Sequence, residues 1–433
     1  MANQKRHANK PQPALHQKSR PRASVAIRDW GMLVPFSLYI LALGLLGMLL
    51  PDRELSPMEN RYLVTKPELE WRSVLSGDYM RAFDAYLTDQ FPGRDFWISF
   101  KALCQRETGQ KENNDVYFAA DGYLIGKPQK PDADVTENNL ASVLALRRLG
   151  YDVSLIVSPM AAQVLQDKLP VHAYDPVQAR LIAKLRLEAA DVFVDVEPAL
   201  RQAADKGRQV FFRTDHHWTM GGAYEAYAAY MLRQGLPPLP LSQDESVIVS
   251  TDFLGTLWSK CALPGIVPDE IRVYPPVLPI GDSDFIFEME FFDGNSLQRI
   301  PSLYQNAYLE QKDQYAFFLG QNQPLLVIRR IQGASSIDVF SDNSSDPRIL
   351  LLFKDSYAHC LVPFLAPHYD EIHMVDLRYW RHDPLAYMEE HGVREVLFLY
   401  NADNFSSDRS ISMLGAYITG AETKGELNES TYF

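Results

Sequence analysis

The first 28 residues of this 433-residue chain contain no aspartate or glutamate. They carry Lys5, Arg6, Lys10, Lys18, Arg20, Arg22 and Arg28, and their polar, proline-bearing composition predicts a disordered cationic tail. The next stretch lacks charge of either sign: after Asp29, residues 31–50 hold no charged side chain. Twenty helical residues rise about 30 Å, the hydrocarbon thickness of a bilayer. A basic flank ahead of such a span predicts a cytoplasmic N-terminus, with everything after Pro51 outside. A small-residue cleavage pattern is also missing, since the run ends Met48-Leu49-Leu50-Pro51-Asp52-Arg53. A signal peptide has a shorter apolar core and an A-x-A-like site, so the sequence favours an uncleaved anchor. A buried core helix is the remaining alternative, and the polar tail before the span speaks against it.

Cysteine is scarce as well: Cys104, Cys261 and Cys360 are the whole set. That excludes a disulfide framework. One bridge remains open, with its pairing unspecified. No CxxC or His/Cys cluster has zinc spacing, and the reading includes neither metal nor cofactor. Basic charge is sparse beyond the tail. The whole chain carries a formal −13 while residues 1–29 carry +6, which leaves −19 on the rest. So acidic a body lacks the footprint that nucleic-acid binding requires. Internal repeats and low-complexity runs are absent.

What is present is a globular body, 46% hydrophobic, large enough for one large or two ordinary domains. Residues 51–130 read as a helical and turn-rich connector. Within it Met80, Phe83, Leu87 and Phe91 recur at helical spacing, and residues 116–125 read as a hairpin around Asp121-Gly122. From about residue 131 helices and short apolar strands alternate. Strands are expected at 153–157, 192–196, 325–328, 349–353, 372–375 and 396–400. Helices are expected at 139–149, 177–190, 198–205 and 384–391, and from Met220. Near-continuous apolar strands between helices predict an α/β fold with a parallel sheet covered on both faces. Residues 240–345 are less regular and read as an insertion, and the tail beyond Gly420 as frayed. The expected division is therefore tail 1–29, anchor 30–50, connector 51–130 and α/β domain 131–433.

Two segments carry chemistry. One is Arg213-Thr214-Asp215-His216-His217-Trp218-Thr219. The other, about 140 residues later, is Lys354-Asp355-Ser356-Tyr357-Ala358-His359. Ser356 follows a buried strand and opens a predicted helix, so it is expected at the carboxyl edge of the sheet, where open α/β sheets bind ligands. First-turn N–H groups there can hold an oxyanion. Asp355 and Ser356 also suit a plain helix cap. Asp215 and His217, two apart, let a carboxylate fix an imidazole tautomer. By composition alone His216 is an equal candidate. The pair also suits a surface loop, a buried polar network, or a metal site with His216 and His359. Gly320 and Asn322 follow an apolar run and offer close backbone approach and an amide donor, or an ordinary turn. Trp218, Trp258, Tyr357, Tyr379 and Trp380 suit a sugar-stacking platform or core packing.

Asp215-His216-His217-Trp218-Thr219 with Gly222-Ala223-Tyr224 resembles the DHHW protein family, which is related to the alginate O-acetyltransferase proteins of bacterial exopolysaccharide systems. Segments at 56–61, 89–94, 252–257, 313–316 and 354–358 share the resemblance, which spans about residues 50–405. The resemblance implies an SGNH-hydrolase-like three-layer sandwich with a central parallel sheet and permuted motif order, the Asp-x-His pair preceding the serine. It implies Ser356 as nucleophile, His217 as base and Asp215 as acid. Lys354 stands where SGNH enzymes have glycine, and Asn322 resembles the block asparagine, with Gln321 where a second glycine is expected. Tyr357, Trp218, His216 and Gly320 are the remaining oxyanion or substrate-binding candidates. The implied activity is O-acetyl transfer to, or acetyl-ester hydrolysis from, a cell-surface or exported polysaccharide. A membrane-bound O-acyltransferase is the implied acetyl donor. The acidic body adds an expectation of a neutral or weakly charged glycan. A non-catalytic glycan-binding scaffold and a metal-dependent hydrolase are the competing readings.

Overall fold

The computed structural model describes residues 22–241, 245–275, 285–333 and 347–418. The predicted tail through residue 21 and the end beyond residue 418 lie outside the described residues. The chain forms two units, residues 1–55 with 62–94, and residues 56–61 with 95–433.

In the first unit, helix α1 (Arg22–Leu49) contains the apolar span. Its segment Trp30–Leu49 has a mean hydropathy of 2.2, and none of it is buried. Helices Trp71–Ser76 and Asp78–Asp89 follow, joined at Gly77. The expected apolar residues Met80 and Leu87 lie on the second of these, and both stay exposed.

In the second unit the helix Arg94–Glu107 precedes a small antiparallel sheet of Glu112–Asn113, Val116–Phe118 and Leu124–Gly126, which contains the expected hairpin. Helix α2 (Ala133–Arg148) starts at Asp132, whose carboxylate accepts the Asp134 and Val135 N–H groups. Such a cap satisfies donors that a helix start otherwise leaves unpaired. Strand β1 (Asp152–Ser158) and helices α3 (Val177–Glu188), α4 (Glu197–Asp205) and α5 (Met220–Arg233) come next. The strand expected at 192–196 makes only one parallel bridge, Phe193 to Leu155. Its backbone leaves the sheet at once, because α4 starts at Glu197 with Pro198 in its first turn, where proline's fixed φ suits a helix start.

The main sheet is completed by β2 (Phe285–Phe292), β3 (Leu297–Ile300), β4 (Leu325–Gly333), β5 (Ile349–Lys354) and β6 (Glu371–Val375). After helix α6 (Pro384–Glu390) comes β7 (Glu395–Asn401). The spatial order is β3-β2-β4-β6-β5-β7-β1. Strands β6, β5, β7 and β1 are parallel. Strands β4, β2 and β3 are antiparallel. The expected all-parallel sheet is thus a mixed one. A hairpin needs only a tight turn, whereas a parallel pair needs a long crossover. Strands β2 and β3 are joined by the short turn after Phe292, within the stretch that sequence pattern left irregular.

Strand β5 shows why its run is apolar throughout. Leu350 and Leu352 join the core on one face, and Leu351 and Phe353 the core on the other. Successive side chains point to opposite faces, so a strand buried on both needs an uninterrupted apolar run. Its carboxyl end then delivers Lys354-Asp355-Ser356.

Candidate active site

Asp355 adjoins the end of β5 and caps the next turn. Its carboxylate accepts the Tyr357 N–H at 2.9 Å, the Asn401 N–H at 2.8 Å and the Asn404 amide at 2.8 Å. Burial pushes this carboxyl up, and the three donors oppose the shift. The helix expected after Ser356 is one short 3₁₀ turn, Ser356–Ala358. Ser356 itself is half-buried. Among the described residues its N–H has no backbone acceptor.

The Asp-His-His segment is a turn closed by an antiparallel bridge between Phe211 and Trp218. Asp269 organises the approach to it, accepting the Arg213 and Thr214 N–H groups at 2.9 and 2.8 Å and the Thr214 hydroxyl at 2.7 Å. Within the turn Asp215 Oδ1 accepts the His217 N–H at 3.0 Å. The same oxygen lies 2.5 Å from His217 Nδ1, and His217 Nε2 lies 2.7 Å from Ser356 Oγ. A turn and a serine 139 residues further on thus form one chain of hydrogen bonds, carboxylate to imidazole to hydroxyl. Burial opposes ionisation of Asp215, yet His216, His217 and the Thr256 N–H together hold its carboxyl well below the usual carboxylate range. Asp215 is therefore charged at neutral pH. An ionised Asp215 accepts the His217 Nδ1–H, which leaves the Nε2 lone pair facing the Ser356 hydroxyl.

Four residues that sequence reading missed complete the arrangement. Thr256 donates its N–H at 2.7 Å and its hydroxyl at 2.8 Å to Asp215 Oδ2. Gly255 makes that approach possible, since a Cβ there would stand 2.3 Å from the Asp215 Cβ. Tyr315 stacks on His217, with centroids 3.7 Å apart and rings 5° from parallel, and its hydroxyl donates to the Ser356 carbonyl at 3.0 Å. The fourth is Asp269. The signals Asp252-Phe253-Leu254-Gly255-Thr256 and Asp313-Gln314-Tyr315 were visible as family segments, but no local pattern gave Thr256 or Tyr315 a partner.

The other expected residues divide. The His216 ring lies against His217, centroids 3.8 Å apart and tilted by 38°, and its Nδ1 lies 2.7 Å from the Thr256 hydroxyl. Trp218 is fully buried, donating its indole N–H to the Tyr357 carbonyl at 2.9 Å. Tyr357 is buried too, its hydroxyl donating to the His216 carbonyl. Both brace the site from behind. The five aromatics do not form one platform: Trp380 lies in the core on one face of the sheet, Tyr379 is exposed, and Trp258 sits under Lys312. Gly320 has φ +84° and faces the Gln305 amide, which a Cβ would strike at 2.3 Å. Asn322 is held through its Oδ1 by the Lys354 ammonium at 2.6 Å. All three cysteines are free. Ligand atoms of Asp215, His216 and His217 fall within 4.8 Å of one another. However, Asp215 and His217 already spend those atoms on each other, on Thr256 and on Ser356. A cleft of about 700 Å³ adjoins the carboxylate end, lined by Asp215, Gly255, Thr256, Lys312 and Asp313 among others, though by neither His217 nor Ser356.

Comparisons with known proteins show what the chain resembles. Residues 199–375 match the DHHW protein family model, and residues 118–249 match that of the SGNH hydrolase-like domain of the acetyltransferase AlgX. The chain is related to the DHHW proteins and the alginate O-acetylases. A probable alginate O-acetylase AlgJ of Pseudomonas putida is 28% identical over 185 residues, which is 39% of this chain and 47% of that one. Its counterpart in Pseudomonas syringae pv. tomato is 28% identical over 169 residues, 35% and 41% of the two chains. The match thus spans less than half the length of either curated relative. Two solved structures share the fold at 19% identity and a TM-score of 0.53. A DHHW family protein from Eubacterium siraeum covers 70% of this chain and 96% of its own. Bacillus cereus PatB1 with a sulfonyl adduct covers 68% and 98%. The DHHW-like segment includes all three members of the Asp215–His217–Ser356 chain.

Proposed function

We propose that this DHHW-like protein is a membrane-anchored, extracytoplasmic O-acetyltransferase of a cell-surface or exported polysaccharide, acting through an acyl-enzyme on Ser356. The observation that carries the reading is His217, joined to Asp215 at 2.5 Å and to Ser356 at 2.7 Å. In the first step His217 Nε2 takes the Ser356 proton as Oγ attacks the acetyl carbonyl. The imidazolium, stabilised by the Asp215 carboxylate, then gives that proton to the departing donor group. In the second step an acceptor hydroxyl loses its proton to His217 and attacks the acyl carbon. The bond to Ser356 Oγ breaks, and Oγ recovers the proton from His217. The Ser356 N–H and a neighbouring N–H hold the oxyanion. Asn322, its Oδ1 occupied by Lys354, adds its amide N–H.

Relatives that are probable alginate O-acetylases support a polysaccharide acceptor, and the apolar α1 supports an anchor whose basic flank faces the cytoplasm. The domain is read as an SGNH-like three-layer sandwich with permuted motif order, and residues 51–130 as its connector. A membrane-bound O-acyltransferase is the proposed acetyl donor. No cofactor or metal enters the scheme. One observation favours the second reading, a glycan-binding scaffold: the cleft of about 700 Å³ reaches Asp215 and Thr256 without including Ser356.

Incubation with 4-nitrophenyl acetate, followed by intact mass, separates the two. The enzyme reading expects a gain of about 42 Da, one acetyl group replacing the hydroxyl proton, on Ser356. It expects none in Ser356→Ala or His217→Ala, and no effect of chelator. A folded wild-type protein that never gains the acetyl group overturns it in favour of the scaffold.

A further inference from the structure

Acyl transfer through His217 leaves its neighbour idle, yet His216 is wired into the same carboxylate. Asp215 has two oxygens, and each serves one histidine. Oδ1 meets His217 Nδ1 directly at 2.5 Å. Oδ2 meets the Thr256 hydroxyl at 2.8 Å, and that hydroxyl lies 2.7 Å from His216 Nδ1. The direction of this relay follows from counting protons. An ionised carboxylate has only lone pairs to offer, and the Thr256 hydroxyl has one proton. That proton goes to Asp215, so toward His216 the hydroxyl can only accept. His216 must then carry its proton on Nδ1, which leaves Nε2 with a free lone pair.

The position of that lone pair matters. The His216 side chain keeps 29% exposure while its Nδ1 edge is tied to Thr256, so the open edge is the one bearing Nε2. Among the described residues Nε2 has no partner. The two imidazole centroids lie 3.8 Å apart with the rings tilted by 38°, and His217 meets Ser356, so a molecule seated over Ser356 is within reach of both rings. Burial and the neighbouring His217 lower the His216 pKa to about 4, and a neutral ring accepts hydrogen bonds at neutral pH.

We propose that His216 Nε2 accepts a hydrogen bond from a second hydroxyl of the acyl acceptor, adjacent to the one acylated, and so selects vicinal diols over water in the second half-reaction. Thr256 is the positioning residue that fixes its tautomer. The bond-making remains with His217: the attacking hydroxyl forms the new ester bond and gives its proton to His217, while the Ser356 ester bond breaks. His216 forms no bond and keeps its proton throughout. Its part is to hold the diol where a lone water finds only one anchor. The inference rests on the acyl-enzyme reading and adds to it a substrate class, the vicinal hydroxyls of an uncharged hexopyranoside.

The test uses the full chain in detergent with 4-nitrophenyl acetate as donor. Methyl glucopyranoside supplies vicinal hydroxyls, and 2-propanol supplies one. Transfer and hydrolysis are measured in the same tube. Wild type is expected to favour the glycoside over 2-propanol. His216→Ala should lower the ratio of transfer to hydrolysis about tenfold for the glycoside, the worth of one good hydrogen bond, and leave that ratio for 2-propanol within about twofold. His216→Gln, which keeps an acceptor oxygen near the Nε2 position, should restore part of the ratio. Thr256→Val should lower the glycoside ratio in the same direction. Equal loss of transfer and hydrolysis in His216→Ala, or an unchanged ratio, overturns the proposal and assigns His216 to packing. Failure of the wild type to form any acyl-enzyme is a separate result that overturns the function on which it rests.

Discussion

On one side of Lys354-Asp355-Ser356 a hydrogen-bonded chain runs from a buried carboxylate to a half-exposed hydroxyl. On the other side lies a second polar cluster of similar size whose three titratable groups are sealed from water. The Lys354 ammonium contacts Asn322 Oδ1 at 2.6 Å and His359 Nε2 at 3.0 Å, with Asp376 at 3.9 Å. Lys354, His359 and Asp376 are 2%, 3% and 1% exposed, so three titratable groups there are all but withdrawn from water. Both clusters hold a histidine and an aspartate at the carboxyl end of β5. They differ in where they terminate. The first ends on the half-buried Ser356 hydroxyl, and the second ends on the exposed Asn322 amide and on Arg378, which pairs with Asp376 at 2.7 Å. Buried charge alone therefore does not identify a reactive site. An open end, with a group whose proton can leave, does so better.

The contrast can be broken most sharply at the open cluster. Ser356→Ala and His217→Ala should each lower activated-ester turnover by about three orders of magnitude, with the double variant scarcely worse, because the residues act as a unit. Neither should shift the urea midpoint as far as a change in the sealed cluster. There, Asp376→Asn leaves Lys354 buried with less compensation and should cost about 3 kcal/mol or more. Lys354→Met removes the charge itself and should cost less than about 2 kcal/mol, set by the two partners left unpaired. Equilibrium urea unfolding of the pair measures the difference, and equal costs would contradict a sealed ion network.

Acid titration sharpens the comparison further. Burial, with Lys354 second, holds the His359 pKa well below its ordinary 6.5, and burial lowers Lys354 from 10.5 to about 8. In both cases the unfolded chain binds the proton more readily than the folded one. Stability attached to His359 is therefore present above pH 6.5 and lost as pH falls below it, at up to about 1.4 kcal/mol per pH unit. By the same sign, Lys354 adds stability as pH rises from about 8 toward 10.5. His359→Gln should flatten the acid limb of a stability–pH curve measured by thermal unfolding. A curve unchanged in that limb would mean that the folded and unfolded chains bind the His359 proton equally readily, and would contradict the lowered pKa.

Much of the sheet was legible because burial on both faces demands apolar runs: β1, β5, β6 and β7 all announced themselves this way. Of the antiparallel half only β4 did, expected at 325–328 and found at Leu325–Gly333. Strands β2 and β3 lie in the prolines and aromatics of an irregular stretch, and their charged faces, with Glu290 between Arg299 and Arg329, give no continuous apolar signal. The expected strand at 192–196 had the right composition but no room, because α4 starts at its end.

In the candidate site the same division holds. Asp215, His217 and Ser356 could be singled out because short-range chemistry is written locally: an Asp two residues from a His closes a turn, and a strand end exposes the side chain just beyond it. Whether Asp215 serves His216 or His217 was not written there, since both sit within reach along the backbone. The tertiary structure decided it by bringing Thr256 and Gly255 against one carboxylate oxygen and Tyr315 against one imidazole face. Those partners arrive from segments tens of residues away. Their approach is fixed by how the sheet and its insertion pack, down to a single missing Cβ at Gly255. The sequence by itself set the groups and their reach, and packing over long sequence separations chose which of them meet.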